Sequence, residues 1–90
     1  MKPDRLTAIR RALEARFAPE YLEVEDESHL HEGHAGAQSG RGHFRVTVVA
    51  EAFRDMPQLK RHQAIYEALG PLMETDIHAL TIRVSAPDEF

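Results

Sequence analysis

The sequence predicts an α+β fold, a two-layer sandwich in which helices cover one face of a three-stranded mixed sheet. Apolar residues recur at helical spacing in two segments and alternate with polar residues in three others. In chain order the predicted elements are a helix over 4–17, strands over 21–26 and 43–49, a helix over 57–69 and a strand over 78–84. This order, α-β-β-α(α)-β, fits one domain over residues 1–90.

The first helix and the two strands after it have regular apolar faces. In the helix, the residues that fall on one face are Leu6, Ile9, Leu13 and Phe17. In the strands, the residues that share a face are Leu22 and Val24, then Phe44, Val46 and Val48. Residues 29–42 between the strands include four glycines and are long for a hairpin connection. Long connections in compact domains often carry function, so this segment is a candidate site.

In the second half of the chain, the apolar spacing predicts a helix and a last strand. Residues 51–56 are expected to form a turn or a single helical turn. The helix over 57–69 is expected to end at Gly70-Pro71, after which a short apolar turn follows. The predicted apolar stripe of this helix consists of Leu59, His62, Tyr66 and Leu69, with Ile65 beside them. The last strand places on one face His78, Leu80, Ile82 and Val84. The helix makes the connection between the second and third strands a crossover, which is expected to be right-handed.

Composition excludes several classes of function. The chain has no cysteine, which excludes disulfides, a cysteine nucleophile and zinc sites built on thiolates. No apolar run approaches the ~20 residues that cross a bilayer. The first residues have no apolar signal core, so we expect a reducing, cytoplasmic location and no membrane contact. The net charge of −4 argues against strong electrostatic binding of nucleic acid.

The charge is nevertheless uneven along the chain. Between Arg16 and Arg41 there are six acidic residues, three histidines and no lysine or arginine. An acidic setting favours protonated histidine and also suits a bound cation. The alternative, which composition alone favours, is a solvated loop.

Motifs of common enzyme families are absent from the sequence. It contains no GxSxG elbow, no P-loop and no GxGxxG. The spacing of His29, His31 and His34 suits a zinc ion sterically, but a glycine-rich loop does not preorganise such a site. Gly33 and Gly36 match the letters of the GxxG loop that binds single strands, but they lie between strands instead of helices. We therefore predict that the protein is not an enzyme.

An ordered set of motifs resembles the BolA family over about residues 5–87. The motifs are Leu22-Glu23-Val24 with Asp26-Glu27-Ser28, His43-Phe44 with the valines that follow, Arg61-His62 with Ile65-Tyr66, and His78-Ala79-Leu80. No one of these motifs is specific alone, whereas the ordered set is. The sequence departs from the family at Gly42, the position before the His-Phe pair, where the family often has Ser or Thr.

The resemblance implies a fold similar to a type II K-homology domain and partnership with a monothiol glutaredoxin that carries glutathione. It also implies a [2Fe–2S] cluster that bridges the two proteins, with none bound by the isolated chain. The chain is then a monomer alone and a heterodimer with its partner. Members of the family are linked to iron–sulfur cluster trafficking, stress morphology and transcriptional control. We therefore expect an adaptor in iron–sulfur cluster assembly or in iron-linked stress regulation.

The resemblance also implies which histidines bind the cluster. His78 and His31 lie at the family's two ligand positions, and His34 rivals His31 because the register of the loop is open. Histidine replaces cysteine on one iron in some [2Fe–2S] centres, and thiolates supply the other ligands. A glutaredoxin cysteine and glutathione would supply those thiolates. From the residues alone, His78 is interpreted first as a polar residue at the rim of the core.

Three neighbouring residues of the second long helix also have predicted roles. His62 lies on the apolar stripe and is expected to pack there with one hydrogen bond. Lys60 and Arg61 are expected to face solvent and to contact the acidic surface or phosphate of a partner. The alternative for both is a solvated helix face.

The second class of function is a DNA-binding transcriptional regulator of stress response and cell morphology. Its contacts would rest on Arg10, Arg11, Lys60, Arg61 and Arg83. Four Phe, two Tyr and no Trp supply little stacking for bases. Such binding is expected to be weak and to fall steeply with salt.

Overall fold

A three-stranded sheet with helices on one of its faces forms the fold, as predicted. The computed structural model describes residues 4–28 and 41–89. In chain order its elements are α1 (Arg5–Phe17), β1 (Tyr21–Asp26), β2 (Gly42–Val49), a 3₁₀ turn (Glu51–Phe53), α2 (Gln58–Leu69), α3 (Leu72–Thr75) and β3 (Ile77–Ser85). The bounds of the predicted helices and strands are confirmed to within one residue.

The sheet is mixed, with β2 in the centre. Strand β1 pairs antiparallel with β2, and β2 pairs parallel with β3. The end of β1 therefore meets the starts of β2 and β3 at one end of the sheet. We call this the His78 end. The opposite end, where β2 and β3 stop and α2 begins, is called the Glu89 end, because the C-terminal turn with Glu89 lies there.

Helix α1 begins at a capping residue and ends at a left-handed one. The Asp4 carboxylate accepts a hydrogen bond from the Thr7 backbone N–H at 2.8 Å, and this bond lowers the pKa of Asp4. Ala18 ends the helix with φ 46°. The buried face of α1 consists of Ile9, Leu13 and Phe17, whereas Leu6 remains exposed.

The core lies between the helices and the face of β2 that carries Phe44, Val46 and Val48, as the alternation predicts. Residues from the other elements that join it include Val24, Phe53, Ile65, Leu69, Ile77 and Val84. Within the described residues, none of the helices combines the length and apolar content that a bilayer span requires.

The predicted apolar stripe of α2 is wrong by about a quarter of a turn. The residues that α2 buries are Arg61, Ile65 and Leu69. Leu59 and Tyr66, which the prediction placed in the core, are 68% and 44% exposed. The helix turns this way because the small side chains of Ala64 and Ala68 also pack against the core, which lets the backbone lie close to its neighbours.

Candidate functional site

His78 is the first candidate ligand, and its side chain is exposed. The register between β2 and β3 shifts beside it, since Gly42 faces Ile77 and His43 faces Ala79. His78 is thus the additional residue of a bulge, which redirects side chains in a strand. Ile77 is buried in its place at 1% exposure. The interpretation of His78 as a polar residue at the rim of the core is therefore wrong.

Within residues 4–28 and 41–89, the His78 imidazole has two side-chain neighbours, His43 and Arg41. The His43 ring lies with its centroid 5.2 Å from that of His78, tilted by 51°, within the usual range of ring packing. On another side, the Arg41 guanidinium places Nη2 3.4 Å from His78 Nδ1. Nη1 of Arg41 also donates to the Glu74 carbonyl at 3.3 Å.

The Arg41 contact has a consequence for ligation by His78. A guanidinium only donates hydrogen bonds, so Nδ1 accepts in this contact and the proton of the neutral ring is on Nε2. Ligation through Nδ1 uses the same lone pair, and ligation through Nε2 moves the proton to Nδ1. In either case, Arg41 must leave Nδ1 before neutral His78 can bind a metal.

The described residues that flank positions 29–40 are hydrogen-bonded at this end of the sheet. The Ser28 hydroxyl accepts a hydrogen bond from the His43 backbone N–H at 3.1 Å, and the Ser28 backbone N–H donates to the Asp26 carboxylate at 2.9 Å. On the other side, the Gly42 N–H donates to the Asp76 carbonyl at 2.9 Å. Residues on both sides of the segment therefore lie beside His43 and His78.

The remaining predicted ligands are in that segment. His31 and His34 lie outside the described residues, as does His29. Their assignment stays a prediction. Within residues 4–28 and 41–89, no three histidine or acidic side chains come together as a metal site.

Gly42 is required by close packing at the His78 end. A Cβ at this position would lie 2.7 Å from Cε2 of Phe44 and 2.7 Å from Oγ of Ser28. Both distances are well inside van der Waals contact, and the Phe44 ring is fixed in the core. In this chain, the close approach of Ser28 and Phe44 therefore leaves no room for a side chain at position 42.

The prediction that Arg61 faces solvent is wrong. Its side chain is buried at 5% residue exposure, and Nε donates to the Met56 carbonyl at 2.7 Å. Nη1 and Nη2 donate to the two carboxylate oxygens of Glu89 at 2.6 and 3.0 Å. Such a bidentate pair is the geometry in which a guanidinium is well satisfied when buried. Arg61 therefore holds the C-terminal turn and does not lie on the surface of α2.

Glu89 is a residue that the sequence analysis missed. The hydrogen bonds from Arg61, together with one from the Ala86 backbone N–H at 2.9 Å, lower the pKa of Glu89 to about 2. Glu89 lies near the end of the chain and outside the predicted helices and strands, so apolar spacing indicated no role for it. The sequence cue is indirect: an arginine on the buried side of a helix requires a carboxylate from elsewhere in the chain.

Lys60 and His62 lie on either side of Arg61. Lys60 is exposed, as predicted. His62 is half-buried on the flank of α2 toward β3, and within the described parts of the chain its ring makes no hydrogen bond. The expected hydrogen bond of His62 is therefore not found there. The other cations proposed for DNA contact, Arg10, Arg11 and Arg83, are exposed on α1 and β3.

Known proteins resemble this chain over nearly its whole length. The family described as BolA-like protein matches residues 13–89. The DNA-binding transcriptional regulator BolA of Escherichia coli is 40% identical over 82 residues, which cover 91% of this chain and 75% of that protein. The protein of the same name from Haemophilus influenzae is 34% identical, with 91% and 77% covered. SufE-like protein 1 of Arabidopsis thaliana is 38% identical over 86 residues, which make up only 23% of its length.

Solved structures agree with these relatives. BolA1 from Arabidopsis thaliana has a TM-score of 0.85 at 33% identity, with 100% of this chain and 99% of that chain covered. The BolA domain of SufE1 from Arabidopsis thaliana has a TM-score of 0.85 at 37% identity, with both chains covered completely. The relatives are named as regulators, as BolA proteins or as SufE-like proteins, and the family description does not name an enzyme. The chain belongs to the BolA-like protein family.

Proposed function

We propose that the protein is a non-enzymatic cytoplasmic adaptor that binds a monothiol glutaredoxin and shares a bridging [2Fe–2S] cluster with it. The observation that carries the proposal is the exposed imidazole of His78, which lies at the end of the sheet where Ser28 and Gly42 are hydrogen-bonded. An exposed imidazole can reach a cluster held by another protein, whereas a buried one cannot. The cluster is cargo, passed on in iron–sulfur cluster assembly or used in iron-linked stress regulation.

The donor atoms of the chain fit half of such a site. With no cysteine, the chain offers imidazole nitrogens and no thiolate, and the thiolates would come from the glutaredoxin cysteine and its glutathione. His78 supplies one nitrogen. We assign the second to His31 or His34. Chain length alone keeps the Cα of His31 within about 11 Å of that of Ser28, which contacts the His43 backbone.

The partner also has to contact the protein surface around the cluster. Lys60 is exposed on α2 and remains a candidate for contact with an acidic surface. Arg61 does not contact the partner, because its guanidinium is bound to Glu89. When bound, the cluster supplies electron transfer or iron and sulfide for a recipient. The chain's own residues hold it, orient it and hold the partner.

A spectroscopic titration tests the proposal. The protein is mixed with a monothiol glutaredoxin and glutathione under cluster-reconstituting conditions, and visible absorption and circular dichroism are recorded. We expect the spectrum of the glutaredoxin cluster to change on addition of the wild-type chain. We expect the change to be lost with His78→Ala and weakened with His31→Ala or with His34→Ala, whichever residue is the ligand.

His62→Ala is the matched control, because it removes an imidazole at the opposite end of the sheet. It should leave the spectral change intact. Wild-type behaviour of the His78→Ala variant and of both loop variants would show that the assigned ligands are wrong. No spectral change with the wild-type chain would show that no cluster is shared.

The second candidate function is DNA-binding transcriptional regulation. It is favoured by the names of the Escherichia coli and Haemophilus influenzae relatives and by the exposed cations of α1, α2 and β3. It predicts sequence-selective retention of DNA at physiological salt, with loss in Lys60→Ala and Arg83→Ala. A gel-shift titration against random DNA of the same length distinguishes the two cases. Binding that is sequence-blind and confined to low salt would exclude this function.

A further inference from the structure

A groove runs along the part of β3 that is nearest the Glu89 end. It is lined by β3 and α2 and extends over the open face of the sheet; the residues that line it are Tyr21, Thr47, Val49, Gln58, His62, Ile82, Arg83, Val84, Ser85 and Glu89. Four of these are consecutive in β3, so both faces and the outer edge of the strand contribute to the groove.

The backbone of β3 explains this lining. Among the described residues, the sheet order β1-β2-β3 leaves β3 as an edge strand. The Ala50 N–H donates to the Ser85 carbonyl, so the backbone groups of Ser85 face β2. Because backbone groups alternate in direction along a strand, the N–H and C=O groups of Ile82 and Val84 face the outer edge. Edge groups of this kind are a template for pairing with a further strand.

The flank of α2 beside the groove carries exposed apolar side chains next to the polar residues that line it. On the helical wheel of α2, Leu59 and Tyr66 lie on the same flank as Gln58 and His62, which line the groove. Leu59 is 68% exposed and Tyr66 44%. Large apolar side chains on the flank of a helix beside a free strand edge indicate an interaction surface.

The charge of the groove favours an acidic segment over a nucleic acid. Arg83 lines the groove and is exposed on the open face of β3. The Glu89 carboxylate, which also lines the groove, is already paired with the Arg61 guanidinium. A single exposed cation suits a carboxylate and gives little attraction for a polyphosphate backbone.

We propose that an extended segment of a partner protein, with apolar and acidic residues in alternation, adds to β3 as a fourth strand. Its backbone pairs with the outward groups of Ile82 and Val84. Its apolar side chains face the flank of α2 with Leu59 and Tyr66, and its acidic side chains lie beside Arg83 on the open face. This is strand addition with side-chain specificity.

A second copy of the chain is a weaker occupant. The strand with the nearest alternation is β1, in which Glu23 and Glu25 each follow an apolar residue, Leu22 and Val24. Its apolar face is already packed in its own core through Val24. The Arg10 side chain also donates to the Leu22 carbonyl at 3.4 Å, which covers part of β1.

The groove is also separate from the cluster site, since Ser85 is seven residues from His78 along β3, or roughly 23 Å.

The experiment uses the full chain labelled with ¹⁵N and a synthetic peptide that alternates valine with glutamate. Two comparison peptides have the same length: one alternates valine with lysine, and the other has the residues of the first in scrambled order. Backbone amide hydrogen exchange is measured with and without peptide. We expect the alternating acidic peptide to slow exchange at Ile82 and Val84 by about tenfold or more at saturation, with little change at Arg83, whose N–H already faces β2.

Two variants test the side-chain contacts, and one is a control. Arg83→Glu should reverse the preference so that the lysine peptide binds more tightly than the glutamate peptide. Tyr66→Ala, at a surface position, should weaken binding about tenfold without unfolding the chain. His78→Ala should bind the peptide as the wild type does, so that failure here is distinct from failure of cluster sharing.

Three outcomes would overturn the proposal. The first is no protection of Ile82 and Val84 at millimolar peptide, or equal binding of the scrambled peptide. The second is tighter binding of an oligo(dT) strand at the same amides, which would make the groove a nucleic-acid site. The third is concentration-dependent dimerisation in sedimentation that protects the same amides without peptide.

Discussion

The two ends of the sheet differ in whether a basic side chain is buried and paired within the chain or exposed. At the Glu89 end, the Arg61 guanidinium is buried and bound by Met56 and Glu89 within the chain. At the His78 end, an imidazole is exposed on a bulge, and its contact with Arg41 is long at 3.4 Å. The comparison shows which charged and polar groups hold the fold and which are presented to other molecules.

Burial explains the difference. A buried charge is stable only when its hydrogen bonds are satisfied inside the protein, so Arg61 needs a specific carboxylate. An exposed imidazole has water as an alternative partner and tolerates a weak contact. The Arg61–Glu89 pair is therefore satisfied within the chain, whereas the His78 side chain is exposed to solvent.

The largest expected effect is a difference in the free energy of unfolding between variants at the two ends of the sheet. Arg61→Met should lower the free energy of unfolding by about 2 kcal/mol, because three hydrogen bonds are lost and Glu89 loses its partner. His78→Ala should change it by less than about 0.5 kcal/mol, as for most exposed positions. Urea unfolding followed by circular dichroism measures both. A larger loss for His78→Ala than for Arg61→Met would reverse the comparison.

The next effect tests packing at the His78 end. Gly42→Ala should lower the free energy of unfolding by about 1–2 kcal/mol, because the new Cβ meets the buried Phe44 ring and Ser28. It should also shift the ring resonances of His43, whose backbone is bonded to Ser28. Wild-type stability and unchanged His43 resonances would show that Ser28 does not fix this part of β2.

The pH dependence of stability examines the Glu89 end. The pKa of Glu89 falls from 4.5 to about 2 on folding, so its contribution is present above pH 4.5 and is lost as the pH falls toward 2. The wild type should therefore lose stability over this range more steeply than Glu89→Gln, in which the group does not titrate. Unfolding curves at several pH values between 2 and 6 compare them. Parallel curves would contradict the assigned bond.

The smallest expected effect concerns the contact between Arg41 and His78. Arg41 must leave His78 Nδ1 before the ring binds a metal, so Arg41→Met should raise the affinity of the glutaredoxin–cluster complex by about twofold, the value of one weak hydrogen bond. The spectroscopic titration with a monothiol glutaredoxin gives the affinity. A fall in affinity would show that Arg41 supports the cluster or the partner instead.

The sequence predicted the elements of the fold well and their contacts less well. Helices and strands follow from apolar spacing, which is local, and their bounds were confirmed within one residue. The face of α2 was missed because two phases fit its sequence, one through Leu59 and Tyr66 and one through Ile65, and both include Leu69. Choosing the second phase places Arg61 in the core, which is reasonable only once Glu89 is known to reach it.

The candidate site could be predicted in part. The family motifs marked His78, but strict alternation in β3 would place this side chain with the core residues Leu80 and Val84. The bulge opposite Gly42 and His43 breaks the alternation, and a register shift depends on pairing between distant strands. His31 and His34 lie outside the described residues, so their assignment still rests on the family resemblance alone.

Nitrogen hyperfine spectroscopy determines whether the imidazole of His78 binds the shared cluster. The chain is labelled with ¹⁵N-histidine, the cluster shared with an unlabelled glutaredoxin is reduced, and its electron–nuclear double resonance spectrum is recorded. We predict ¹⁵N couplings from directly bound imidazole, with loss of one coupling in His78→Ala and none in His62→Ala. A reduced cluster in the complex without any ¹⁵N coupling, or with couplings unchanged in His78→Ala, would contradict ligation by His78.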